Sequence, residues 1–128
     1  MSGLKRWQKN RTFAEALVCA LRGIRTVLEI ETNAKLQVIA FAIVLIASFL
    51  FRISRGEFLL IVIVSTFVFA LELVNTAFEH VFDILHPEYH LSVRRAKDIL
   101  AGAVLIGALG AVFVGAIIFL PRILGGIL

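Results

Sequence analysis

Residues 99–120 read ILAGAVLIGALGAVFVGAIIFL, 22 residues from Ile99 to Leu120 with no charge, ending against Pro121. A helix that crosses a hydrocarbon core of about 30 Å needs around 20 such residues. Two shorter apolar runs precede it: Leu36–Phe51, of 16 residues, and Phe58–Leu71, of 14. Lys35 and Arg52 flank the first and can snorkel, which lengthens it. The second continues helically through Glu72 to Phe82, because Leu71–Leu85 contains neither Pro nor Gly. The pattern predicts an all-α membrane protein with membrane helices at about residues 35–53, 57–84 and 97–121.

Composition agrees. The chain has 128 residues, 60% hydrophobic and 17% charged, with a mean hydropathy of +0.98. A soluble domain carries about 25% charged residues, and a chain this short has too little interior to hide the excess of Leu, Ile, Val and Phe. It forms one domain, 1–128. Cys19 is the single cysteine and cannot close an internal bridge.

The formal net charge of +4 points to membrane rather than nucleic acid, because basic residues interleaved with aromatics for base stacking are absent. Lys5, Arg6, Lys9, Arg11, Arg22, Arg25 and Lys35 all precede the first run; Arg52 and Arg55 follow it; Arg94, Arg95 and Lys97 precede the third; Arg122 closes it. Anionic headgroups attract such segments by about 1 kcal/mol per charge. Alternating sides gives ten cations against three, which predicts a cytoplasmic N-terminus and second loop. Arg94 and Arg95 read as topology anchors.

Residues 1–35 lack the continuous apolar core expected of a cleavable signal. Phe13, Leu17, Leu21, Ile24 and Val27/Leu28 instead recur at helical spacing, interrupted by Glu15, Arg22, Arg25 and Glu29. This is an amphipathic helix suited to the membrane surface or to the side of the bundle. Along the third run, Ala103, Gly107, Ala111 and Gly115 fall every four residues, a stripe that lets helices approach closely. Three thin helices enclose a polar site poorly, so a homo-oligomer is expected.

Glu72 carries the chemistry. A carboxylate among apolar residues in a membrane helix costs about 2.5–3.5 kcal/mol on insertion scales, so a partner, a proton or a metal must offset it. Asn75, Glu79 and Asp83 follow at roughly −60°, −20° and +20° around the helix, on the face of Glu72. Glu79 stands roughly 10 Å further along the axis. A deep carboxylate can then act as base on a lipid hydroxyl while a shallower one holds a divalent cation. Asp83 reads rather as an interfacial acid paired with Lys or Arg. The alternative for Glu72 is a proton carrier in a small transporter or non-enzymatic oligomer.

Glu29 and Glu31 lie beside Asn33 and Lys35 before the first span. Magnesium takes one or two carboxylates plus phosphate oxygens, and Glu31 with Glu79 could supply them. Lys97 could set positive charge against a transferring phosphoryl group. No Gly-rich phosphate loop is present, and His80, His86 and His90 lack metal-ligand spacing.

Glu72-Leu73-Val74-Asn75-Thr76-Ala77-Phe78-Glu79, then Asp83, Pro87-Glu88-Tyr89-His90 and Ala96-Lys97-Asp98, resemble the bacterial integral-membrane lipid kinases, the family of diacylglycerol kinase and undecaprenol kinase. Ala20-Leu21-Arg22-Gly23-Ile24-Arg25 and Ala101-Gly102-Ala103-Val104-Leu105 extend the match over about residues 12–121. The resemblance implies a homotrimer with composite sites in the bacterial inner membrane, and direct transfer of the ATP γ-phosphate to a lipid alcohol with magnesium. It implies Glu72 as general base, Asn75 as its polar neighbour, and Glu31 and Glu79 as magnesium ligands at the ATP phosphates. Lys97, Asp98, Lys35 and Arg22 would contact the nucleotide. Lys35 stands where Arg is frequent and Gln37 where His or Glu is frequent; Phe78 and His80 replace Ile and Ala. Thr76, the Pro87–His90 form and Ala101–Val104 look more like the undecaprenol kinase branch, with diacylglycerol the next acceptor.

Overall fold

The computed structural model describes residues 12–125. They form four helices: α1 (Phe13–Ile30), α2 (Thr32–Leu50), α3 (Arg55–Leu85) and α4 (Leu91–Gly125). Residues 1–11 of the expected 1–30 surface helix lie outside the described residues. Three of the helices, α2, α3 and α4, are long and apolar enough to cross a membrane.

Each boundary has a local cause. Thr12 caps α1 in a reciprocal box: its hydroxyl accepts from the Glu15 amide, and the Glu15 carboxylate accepts from the Thr12 amide. Such a box satisfies two helix-end donors that would otherwise lack partners. At Glu31 the backbone turns extended, φ −101° and ψ 117°, and α2 begins at the next residue. Glu31 thus ends one helix and opens another. Arg52, with φ 48°, makes the turn between α2 and α3, and Ser54 with Glu57 repeats the capping box at the start of α3. Pro87 disfavours helical geometry at His86 and closes α3.

The membrane helices extend further than the apolar runs. At 1.5 Å per residue, α3 and α4 are about 46 and 52 Å long, well beyond a 30 Å core. The helices differ in their limits from the expected spans. The last helix starts at Leu91 rather than 97, because residues 91–96 contain no breaker after Pro87. It also runs through Pro121 to Gly125. Pro121 has no N–H to offer, a defect that membrane helices tolerate. Beside it, the Arg122 guanidinium donates to the Ile118 carbonyl and to Glu57 at the head of α3, at 2.8 Å. The first two spans are likewise shifted, to Thr32–Leu50 and Arg55–Leu85.

α3 is the central helix. It contributes Ile61, Val68, Glu72 and Thr76 to the buried set, against Val27 from α1, Ala34 and Ser48 from α2, and Ile118 from α4. Its largest partner is α4. Gly107 is the point of closest approach: a Cβ there would stand 2.9 Å from Leu71 Cδ1 and 3.6 Å from Val68 Cγ2. By contrast, a Cβ on Gly115 of the same stripe would meet nothing within 4 Å. Phe49, Ile63, Ile106 and Phe113 are among many large apolar side chains left exposed, the surface expected of helices bathed in lipid.

Candidate active site

The polar row of α3 is graded in depth as the helical spacing requires. Glu72 is 1% exposed, Asn75 and Glu79 are half-buried, and Asp83 is exposed. Asn75 Nδ2 donates to Glu79 Oε1 at 3.2 Å, one turn on. From α2, Gln37 Nε2 donates to Glu72 Oε2 at 3.4 Å. Glu31, half-buried at the α1–α2 junction, lies close enough, with Glu79, to act on Glu72 electrostatically. Three carboxylates thus gather from α3 and the α1–α2 corner.

No Lys or Arg among the described residues is within ion-pair distance of Glu31, Glu72 or Glu79. No ion pair among the described residues compensates the negative charge of these carboxylates. Carboxylate oxygens are the ligand type that a hard divalent cation takes, alongside phosphate oxygens. No group of three or more protein ligands that could hold a metal occurs among the described residues, so Glu31 and Glu79 would leave most positions open.

Other expected site residues sit nearby but elsewhere. Lys97, in the second turn of α4, pairs with Asp83 at 2.5 Å. Asp98, Arg94 and Arg95 are exposed on the same end of α4, as are Lys35 on α2 and Arg22 on α1. Glu29, the neighbour of Glu31 in sequence, turns away and pairs with Arg25 at 2.7 Å.

Two polar side chains join the site without a clear sequence signal. Gln37 is one. Thr76, 3% exposed, is the other, and its Oγ1 is buried with no hydrogen-bond partner among the described residues, as are Gln37 Oε1 and Asn75 Oδ1. The one clue to Gln37 in the sequence was that it stands where His or Glu is frequent in the family the chain resembles. Apolar grooves flank the row. One of about 260 Å³ lies among α2, α3 and α4 and is lined by Gln37, Phe41, Val68 and Ala108. Another of about 520 Å³ lies between α1 and α3, lined by Gly23, Val27, Leu73 and Thr76.

Residues 18–119 match the family model for prokaryotic diacylglycerol kinase. The chain belongs to the prokaryotic diacylglycerol kinase family. It is 37% identical over 111 residues to the undecaprenol kinase of Bacillus subtilis, covering 87% of this chain and 90% of that protein. It is 31% identical over 119 residues to a diacylglycerol kinase of Synechocystis, covering 92% of this chain and 68% of that one. As a member of the diacylglycerol kinase family it is a lipid kinase and an integral membrane protein. The non-enzymatic reading of Glu72 as a transporter's proton carrier is set aside by that membership.

Proposed function

We propose that this chain transfers the γ-phosphoryl group of ATP to the hydroxyl of a membrane lipid alcohol, with undecaprenol as the favoured acceptor and diacylglycerol the next. The observation that carries the reading is a buried carboxylate, Glu72, in line with the half-buried Glu79 and beside apolar grooves. The preference for undecaprenol rests on the greater similarity to the undecaprenol kinase named above and on the Thr76 and Pro87–His90 landmarks.

In this reading Glu72 takes the proton of the lipid hydroxyl. The lipid oxygen forms its bond to the γ-phosphorus as the bond from phosphorus to the ADP oxygen breaks, and ADP leaves with the electron pair. Burial of Glu72 excludes water, which would otherwise compete as acceptor. The grooves on either side of the row accommodate a hydrocarbon chain while its one hydroxyl reaches the carboxylate. Asn75 holds the Glu79 carboxylate in a fixed rotamer. Magnesium, held by Glu31 and Glu79, would neutralise phosphate charge as phosphoryl transfer demands. Arg22 and Lys35, which make no ion pair within the chain among the described residues, are suited to phosphate oxygens. Lys97 reaches them by exchanging Asp83 for phosphate, and Asp98 serves the sugar or base. We place the protein in the bacterial inner membrane as a homotrimer with composite sites, its N-terminus and carboxylate row toward the cytoplasm.

Phosphate transfer from labelled ATP to a lipid panel in mixed micelles tests this. Wild type should label undecaprenol most, diacylglycerol less, and neither without magnesium; Glu72→Gln should label neither. Absence of labelled lipid from folded protein that binds ATP would overturn the reading.

A further inference from the structure

The amide of Gln37 meets Glu72 through one of its two ends only. Nε2 donates to Glu72 Oε2 at 3.4 Å, while Oε1 is buried with no partner among the described residues. A buried acceptor left open is costly, and an apolar side chain would fill this place in a membrane helix without that cost. Glu72 itself is 1% exposed, has no cation within ion-pair distance among the described residues, and receives from Gln37 the one side-chain hydrogen bond it makes there.

We propose that Gln37 is a positioning residue for Glu72, an inference that rests on Glu72 being the general base. With Glu72 ionised, Nε2 anchors Oε2 and leaves Oε1 of the carboxylate aimed at the acceptor hydroxyl. When the lipid O–H bond breaks, its proton passes to Oε1 of Glu72, and Oε2 becomes the carbonyl oxygen of the acid, which still accepts from Nε2. Were the proton to sit on Oε2 instead, the amide would turn over and Gln37 Oε1 would accept from it. A carboxamide carries both functions with no change of charge. Both protonation states of the base are thereby held in one place, and a hydrophobic side chain at position 37 would hold neither.

The test is steady-state kinetics on the full chain in mixed micelles with Gln37→Met, Gln37→His and Glu72→Gln. Methionine matches the length and flexibility of glutamine, suits an apolar helix and cannot make the hydrogen bond. Gln37→Met should lower kcat about tenfold or more, with KM for ATP and lipid changed less than about twofold. Gln37→His should recover most of kcat, because an imidazole can donate to a carboxylate or accept from a carboxylic acid. If Gln37→Met fails to fold, Gln37→Ala gives the same reading through a second side chain. An unchanged kcat in Gln37→Met, beside an inactive Glu72→Gln, overturns the role of Gln37 and leaves the base standing. A raised KM for ATP without recovery by histidine overturns it too, in favour of a nucleotide contact. An active Glu72→Gln overturns the base and this inference together.

Discussion

Glu72 is buried, and the general-base role proposed for it would account for the cost. A carboxylate in mid-membrane costs about 2.5–3.5 kcal/mol by insertion scales, and Gln37 provides its one side-chain hydrogen bond among the described residues. Glu72→Gln removes the charge while keeping the shape, so the variant should unfold at the same or a higher temperature than wild type. Its turnover should fall by about 10²–10⁴-fold, as loss of a general base does. Thermal denaturation in micelles beside the transfer assay separates the two effects, and a variant that loses both stability and activity would argue for a structural role. Asn75 acts one step removed: it donates to Glu79 Oε1. Asn75→Leu frees that carboxylate and should raise the magnesium concentration needed for half-maximal rate by roughly tenfold, on the scale of outer-shell substitutions at metal sites. A magnesium titration at fixed ATP reads it. The acids were legible in the sequence because a charge within an apolar run demands an account, and helical spacing then groups Asn75 and Glu79 with it. Gln37 was not legible as a partner of Glu72. A lone neutral amide carries no spacing pattern, and only the packing of α2 on α3 brings it to the carboxylate.

At the scale of elements, the small-residue stripe on α4 divides by what faces it. Gly107 touches α3, where a Cβ would press on Leu71 and Val68; a Cβ on Gly115 of the stripe, or on Gly110 beside it, would meet nothing within 4 Å among the described residues. Gly107→Val should therefore destabilise the α3–α4 pair by about 1–3 kcal/mol, the range for overpacking a close contact. It should also lower turnover, since Leu71 adjoins Glu72. Gly110→Val has no such clash within the chain and should unfold like wild type when each is followed by denaturation in mixed micelles. Equal stability of the two variants would contradict the close approach at Gly107. The existence of the stripe could be read from spacing, but which glycine is used depends on the rotation of α4 about its axis. Helix ends were legible where a breaker stands, as at Pro87, and misread where Pro121 interrupts the apolar run without interrupting the helix.

For the whole molecule, the spans leave most side chains exposed, while Glu72 is buried and Glu31 and Glu79 are half-buried. Within the chain Lys97 pairs with Asp83, one helical turn beyond Glu79, and makes no ion pair with Glu72 or Glu79. The proposed homotrimer with composite sites resolves this: a lysine of one chain would serve the phosphates bound beside the Glu72 of its neighbour. Subunit mixing decides between a shared and a single-chain site. Glu72→Gln and Lys97→Ala should each be inactive alone. In a cyclic assembly with sites between adjacent chains, equal random mixing leaves one site in four with both native residues, about a quarter of the wild-type rate. If both residues act from the same chain, no mixed assembly contains an intact site and the rate stays at that of the inactive parents. The proteins must be mixed in denaturant and refolded into micelles, so that chains exchange before measurement, and wild type taken through the same cycle sets the reference. Recovery near a quarter makes the site a property of the assembly. It would then explain why the sequence could name the residues yet a single chain leaves their cations and carboxylates apart.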